Sequence, residues 1–250
     1  MRPLLPMLLA ASVVLTGCTA PAHSATLSHS PAASSPAPSP SVTTEPAPPP
    51  APVKPTISKK GLDYFFTVAL GAETGDKSDV VGFWNWAEVS VALHGADSAS
   101  TACAKKTIAD FNALTASTDL KLTTGTADID VHIASSSKLR ALDSDYGRGD
   151  DGYVEAQWSY DHVYQKGKVL IRSTGMTDRE RCHTMRAELT QAMGFLNDSG
   201  NVRDSVLQDD YERPLAQYTA LDKEVIRLLY SGALTPGDNR KTVTGKVTVK

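Results

Sequence analysis

Apolar residues recur along this chain in two periods, and the switches between them mark out the elements of one folded region. Ile129, Val131 and Ile133 alternate with Asp128, Asp130 and His132, the two-residue period of a half-buried strand. Residues 154–164 and 166–172 read as paired strands turned at 165–167, the second carrying the apolar run Val169-Leu-Ile171. Residues 80–93 alternate through Trp84 and Trp86, then through Val89, Val91 and Leu93 with the parity shifted by one. Elsewhere the period is helical. Residues 98–117 place Cys103, Ile108, Phe111 and Leu114 on one helical face. Residues 178–196 do the same with Met185, Leu189, Ala192, Met193 and Leu196, at i, i+4, i+7, i+8 and i+11. A last helix over 221–230 follows Thr219, an N-cap with Asp222 three residues on. A short apolar segment at 63–70 opens the region, and 242–250 alternates valine with polar residues, as a loose strand or a disordered tail.

The 178–196 helix carries the candidate chemistry. Glu188 and Gln191 lie beside its apolar face, flanked by the small residues Ala187 and Gly194, which leave the two polar groups at the bottom of a shallow depression. Gly194 allows the left-handed turn that ends a helix, and Asn197-Asp198 follows. The spacing is that of the zinc-protease helix H-E-x-x-H-x-x-G-x-x-H with each metal-binding histidine replaced. Ala187, Gln191 and Asn197 occupy the ligand positions, and Glu188 falls on the general base. Two imidazoles at i, i+4 are what bring two nitrogens to one zinc ion at about 2.0–2.1 Å. A methyl group and neutral amide oxygens are poor substitutes, so no metal or other cofactor is expected. Glu and Gln are also good helix formers and glycine an ordinary helix stop, so an ordinary structural helix explains the same letters.

The helix together with segments 205–211, 221–230 and 235–237, and upstream 70–73 and 108–115, resembles the bacterial domain-of-unknown-function family 2927. The resemblance spans roughly residues 62 to 237. Its members are mostly lipoproteins with a Glu-x-x-Gln-x-x-Gly-x-x-Asn-Asp helix. It implies a single zincin-like α+β domain over 57–240, a mixed sheet with a backing helix and a cleft helix, and brings no known reaction.

Three features place the chain in the cell. Residues 1–17 carry Arg2 and an apolar core, the pattern of a secretory signal too short to span a bilayer. Leu15-Thr-Gly-Cys18 resembles a lipobox, so Cys18 is the expected lipidation site; several acyl chains at about 0.8 kcal/mol per buried CH₂ give stable membrane anchoring. Thr19 after it directs sorting, in a cell with two membranes, to the outer membrane facing the periplasm. From Cys18 to residue 56 the chain is rich in Pro, Ala and Ser, a disordered tether with a reach on the order of 100 Å. About 190 residues remain, enough for one domain.

With Cys18 taken by lipid, Cys103 and Cys182 are left as an even pair in an oxidising compartment, and a disulfide between the two long helices is expected. The competing account makes both small core residues. The net charge is −3 and no basic run is present, which argues against nucleic acid as a partner. No G-x-S-x-G elbow frames Ser199, and a glycosidase pair of Glu188 with Asp198 or Asp209 is only a remote alternative. His94, His132, His162 and His183 are read as surface or capping residues. The role expected is binding of an envelope protein or cell-wall peptide in a cleft of Glu188, Gln191, Asn197 and Asp198. The rival is a peptidase-like hydrolase with Glu188 as base and a non-standard metal site.

Overall fold

The computed structural model describes residues 54–72, 77–209 and 213–250; Cys18, the signal segment and the proline-rich tract lie outside the described residues. The chain opens with β1 (Thr56–Ile57) and α1 (Lys59–Val68), then β2 (Glu88–His94), α2 (Ser98–Asn112), β3 (Asp119–Thr123) and β4 (Ile129–Ala134). It continues through α3 (Ser136–Leu142), β5 (Gly152–Trp158), β6 (Tyr164–Arg172) and α4 (Asp178–Gln191). It closes with α5 (Ala220–Leu229), α6 (Arg240–Lys246) and β7 (Thr248–Val249).

Five strands form one sheet in the order β3-β2-β4-β6-β5, parallel throughout except for β5, which runs antiparallel to β6 at one edge. The inward row of β4 is Ile129, Val131 and Ile133, all buried, as the alternation requires. Helices α2 and α4 cover that face. The other face is mainly polar, but α3 and the following loop bury Leu170 beneath Leu139 and Tyr146. That second cover explains why Val169, Leu170 and Ile171 are apolar without alternation: this part of β6 is buried on both sides. The mixed α+β layout with a backing helix, α2, and a cleft helix, α4, is the one the sequence leads us to expect.

The structure corrects several boundaries. The β5–β6 turn lies at 159–163, closed by Ser159 and Val163 backbone bonds with His162 at φ +59°, not at 165–167. Gly167 is inside β6, where a Cβ would stand 3.1 Å from Ile129 Cγ1; close packing against β4, not a turn, is what uses a glycine there. Trp84 and Trp86 precede β2 rather than lying in it, because the chain at 80–83 makes only isolated bridges. The expected tail over 242–250 belongs to α6 and to β7, which pairs in parallel with β1.

Helices α2 and α4 are held together covalently and by charge. Cys103 and Cys182 form a disulfide with a Cα–Cα distance of 5.7 Å, the pairing the sequence points to; Cys103 is also buried, so the core reading describes its surroundings. Farther along, the fully buried Arg186 donates from Nη1 to Asp110 Oδ2 at 2.9 Å and stacks over the Tyr218 ring at 4.8 Å. At the far end of α4 the orphan carbonyls find aromatic donors. Trp84 Nε1 donates to Ala192 O at 2.9 Å, and Tyr230 Oη to Met193 O at 2.6 Å. Gly194 then turns the chain at φ +113°, where a Cβ would come within 2.7 Å of Gly82 O.

Candidate functional site

Strand β5 has a partner on one side only among the described residues. The phase of its ladder follows from one bond, Arg172 N to Asp151 O, in the Asp151–Arg172 pair. Hydrogen-bonded and non-bonded pairs alternate in an antiparallel ladder, so the N–H and C=O groups of Gly152, Val154 and Ala156 point away from β6. The same three residues, with Trp158, line the space between the strand and α4. They are small until Trp158, which stacks on Tyr164 at 5.7 Å and closes that end. A cleft of about 400 Å³ results, with Glu188, Gln191 and Asp198 on its helical side.

Glu188 reaches the start of the strand. A Cβ on Gly152 would overlap the Glu188 carboxyl group, so the glycine makes room for this carboxylate beside the strand edge. Gln191 is buried, and its Nε2 donates to Asp198 Oδ1 at 2.7 Å, which fixes the carboxylate across the mouth of the turn. Three of the four predicted cleft residues therefore come together. Asn197 does not join them: its Nδ2 donates to Leu70 O at 2.9 Å and its N–H to Val68 O, tying the turn after α4 to the end of α1.

Beyond Glu188 and Asp198 the cleft continues into a second space of about 600 Å³, walled by His183, Ala187, Val206 and Gln208, with Asp150, Asp151 and Asp209 around it. Sequence reasoning missed this wall, since nothing in the spacing of 199–209 marks it. The wall is held from behind by a buried carboxylate. Asp222 accepts from Ser205 Oγ at 2.6 Å, Thr219 N at 2.8 Å and Thr219 Oγ1 at 2.9 Å, and Ser205 also contacts Tyr64 Oη. Asp222 is thus both the helix cap expected of it and the anchor of the loop.

The histidines divide by surroundings. His94 ends β2 before Gly95 and stacks on His132 at 4.5 Å, on the polar face of the sheet. His183 is neither a surface residue nor a ligand in a metal cluster: it is buried, and its Nδ1 accepts from Leu215 N at 3.1 Å. Burial, with the nearby Arg186 cation, pushes its pKa down to about 4, so it is neutral at neutral pH. A zinc ion does not fit at the helix position that a zinc protease would use. Ala187 offers no donor atom, the Gln191 amide is engaged with Asp198, and the Asn197 amide faces the α1 end. Among the described residues no three His, Cys, Asp or Glu side chains form a metal-binding group.

A family model described as a protein of unknown function (DUF2927) matches residues 59–248. No curated protein matches the chain. Solved structures similar to it include myroilysin, at 12% identity and a TM-score of 0.39 over 60% of this chain and 95% of that one. Another is high choriolytic enzyme 1, a hatching-enzyme zinc protease from the medaka fish Oryzias latipes, at 13% identity and a TM-score of 0.37 over 60% and 94%. At such scores the likeness says nothing about a reaction.

Proposed function

The chain belongs to the DUF2927 family of proteins of unknown function, and we propose that its domain binds an extended peptide in the cell envelope, laid along β5 above α4. The observation that carries this reading is the outer edge of β5, unpaired among the described residues and directly over the cleft of Glu188, Gln191 and Asp198. An added strand satisfies the outward N–H and C=O groups of Val154 and Ala156, while alternate side chains of the peptide drop toward the helix. The pairing is sequence-tolerant and the cleft supplies selection.

Titration of the purified protein with labelled eight-residue peptides tests the proposal by fluorescence anisotropy. Saturable binding is expected, unchanged by a chelator. It is expected to weaken at least tenfold in Ala156→Pro, which removes an outward N–H and no ladder bond. Binding equal in Ala156→Pro and the parent would remove the edge-strand reading. Peptide cleavage that depends on added zinc and is abolished by Glu188→Gln would favour the hydrolase in its place.

The location proposed for this domain is the membrane surface, through a lipid on Cys18 at the end of the proline-rich tract. The Leu-Thr-Gly-Cys sequence supports it. Mass spectrometry of the mature protein is expected to find its first residue at Cys18, carrying acyl chains. An unmodified first residue beyond position 18 would end the idea.

A further inference from the structure

We infer that the end of the cleft beside Ala156 and Trp158 selects an apolar side chain of the bound peptide, of about the size of leucine. This rests on the edge-strand reading and names the residue that the added strand carries. Two observations on different parts of the chain support it.

The first is the row on the α4 side of β5. Val154 pairs with Val169 and Trp158 with Tyr164, and directly opposite residues put their side chains on one face of a sheet. Val169 and Tyr164 belong to the main core, so Val154, Ala156 and Trp158 face the α4 side, and all three pack against that core. Burial separates this row from its neighbours. Ile129, Val131 and Ile133 on β4 and Val169 and Ile171 on β6 are buried, whereas Val154, Ala156 and Trp158 are only half-buried. The apolar layer of the sheet thus runs out into the cleft at β5 and stops there among the described residues. Ala156, small between Val154 and Trp158, leaves a gap in the row.

The second is the opposite wall. Trp84 donates to Ala192 O and packs on Tyr164 at 6.0 Å, and Tyr164 stacks on Trp158, so the end of α4 lies at the Trp158 end of the strand. Leu196, just past the Gly194 turn, is half-buried, packs against the core and lines the same cleft as Ala156 and Trp158. The Glu188 carboxylate stands at the other end of the strand, beside Gly152.

The backbone above the gap decides what fills it. The outward N–H and C=O groups of β5 are those of Val154 and Ala156, the residues that frame the gap. A hydrocarbon chain covers the apolar surface but gives these amides no partner. A peptide strand pairs them and sends an alternate side chain toward Ala156, between Trp158 and Leu196. A leucine there continues the apolar layer and is removed from water. An asparagine of nearly the same size brings a polar amide to the same wall, at a desolvation cost.

Two eight-residue peptides, built of serine and threonine except for one central residue, leucine in one and asparagine in the other, separate polarity from size. The purified full chain is expected to bind the leucine peptide at least tenfold more tightly, at low and high salt alike. Titration calorimetry is expected to give it the more negative heat-capacity change. Ala156→Leu fills the gap from the strand and is expected to cut the leucine advantage severalfold. Thermal melts establish that this variant is folded, and the salt and heat-capacity measurements test the parent protein without it. A leucine advantage undiminished in Ala156→Leu would overturn the inference, as would displacement of the leucine peptide by an equimolar fatty acid such as decanoate. Equal binding of the two peptides, weakened in Ala156→Pro, would overturn the inference and leave the edge-strand proposal standing. Binding of neither peptide, or binding unchanged in Ala156→Pro, would overturn both.

Discussion

Cys103→Ser is expected to lower the stability of the domain by about 4 kcal/mol, and reduction of the parent protein to do the same. The bond joins residues 79 apart, and the loop-entropy relation gives roughly 4–5 kcal/mol for a loop of that length, an upper figure. For a domain of this size that corresponds to a fall in melting temperature on the order of 10 °C. The loss does not extend to the whole α2–α4 contact, because Arg186 still reaches Asp110 and Thr177 still caps α4 through its box with Glu180. The expected intermediate behaviour is therefore local. Hydrogen exchange in α4 around Glu188 and Gln191 rises under reducing conditions before the sheet loosens. Two free thiols in the oxidised protein, or identical melting of parent and variant, would remove the bond from any account of the site.

Mild acid is expected to destabilise the domain through His183. The neutral ring is the form that the fold holds, and its pKa falls from an ordinary 6.5 to about 4. The sign follows from which state takes the proton. Below pH 6.5 the unfolded chain binds it and the folded protein does not, so stability is complete above 6.5 and declines as pH falls toward 4. The full effect is about 3 kcal/mol. Carboxylates such as Asp97, Asp130 and Asp238, whose pKa values lie below the ordinary 3.8, lose their contribution only at lower pH. The two windows are thus separable. His183→Asn keeps an acceptor for Leu215 N and removes the titration, so its melting temperature is expected to stay flatter between pH 6.5 and 4. His132 also has a lowered pKa, but both proteins retain it, and the comparison isolates His183. Parallel acid profiles for parent and variant would show that the buried ring contributes nothing.

The parts of this fold that could be read in the sequence are those whose side chains repeat with one period. Helices α2 and α5 and strand β4 each bury a single regular face, α4 keeps an apolar row through Met185 and Leu189 although it is buried on more than one side, and the cap at Thr219 is local to its helix. Helix α3 was not legible because Leu139 is its only buried side chain. Strand β3 has only Leu120 fully buried at the sheet edge, too short a signal to separate from a loop. The burial of Arg186 has no local signal: Asp110 from another helix and the Tyr218 ring are what allow a guanidinium to be buried there. The site divided in the same way. Glu188, Gln191 and Asp198 were legible because they sit on one helix and its stop. Gln208 and the β5 edge were not, since their place in the cleft depends on which distant segments the fold brings alongside.

The pairing of β1 with β7 has a consequence for how the protein is made. Thr56 and Ile57 lie alongside Thr248 and Val249, and Lys59 N donates to Lys250 O at 3.3 Å. The first strand of the domain to leave the ribosome therefore waits until residues 248–250 have emerged before its backbone groups find their partners. Helices α2 and α4 can assemble earlier, but β1 stays unpaired until β7 follows it. A chain cut before Thr248 therefore leaves β1 without a partner strand as well as lacking β7.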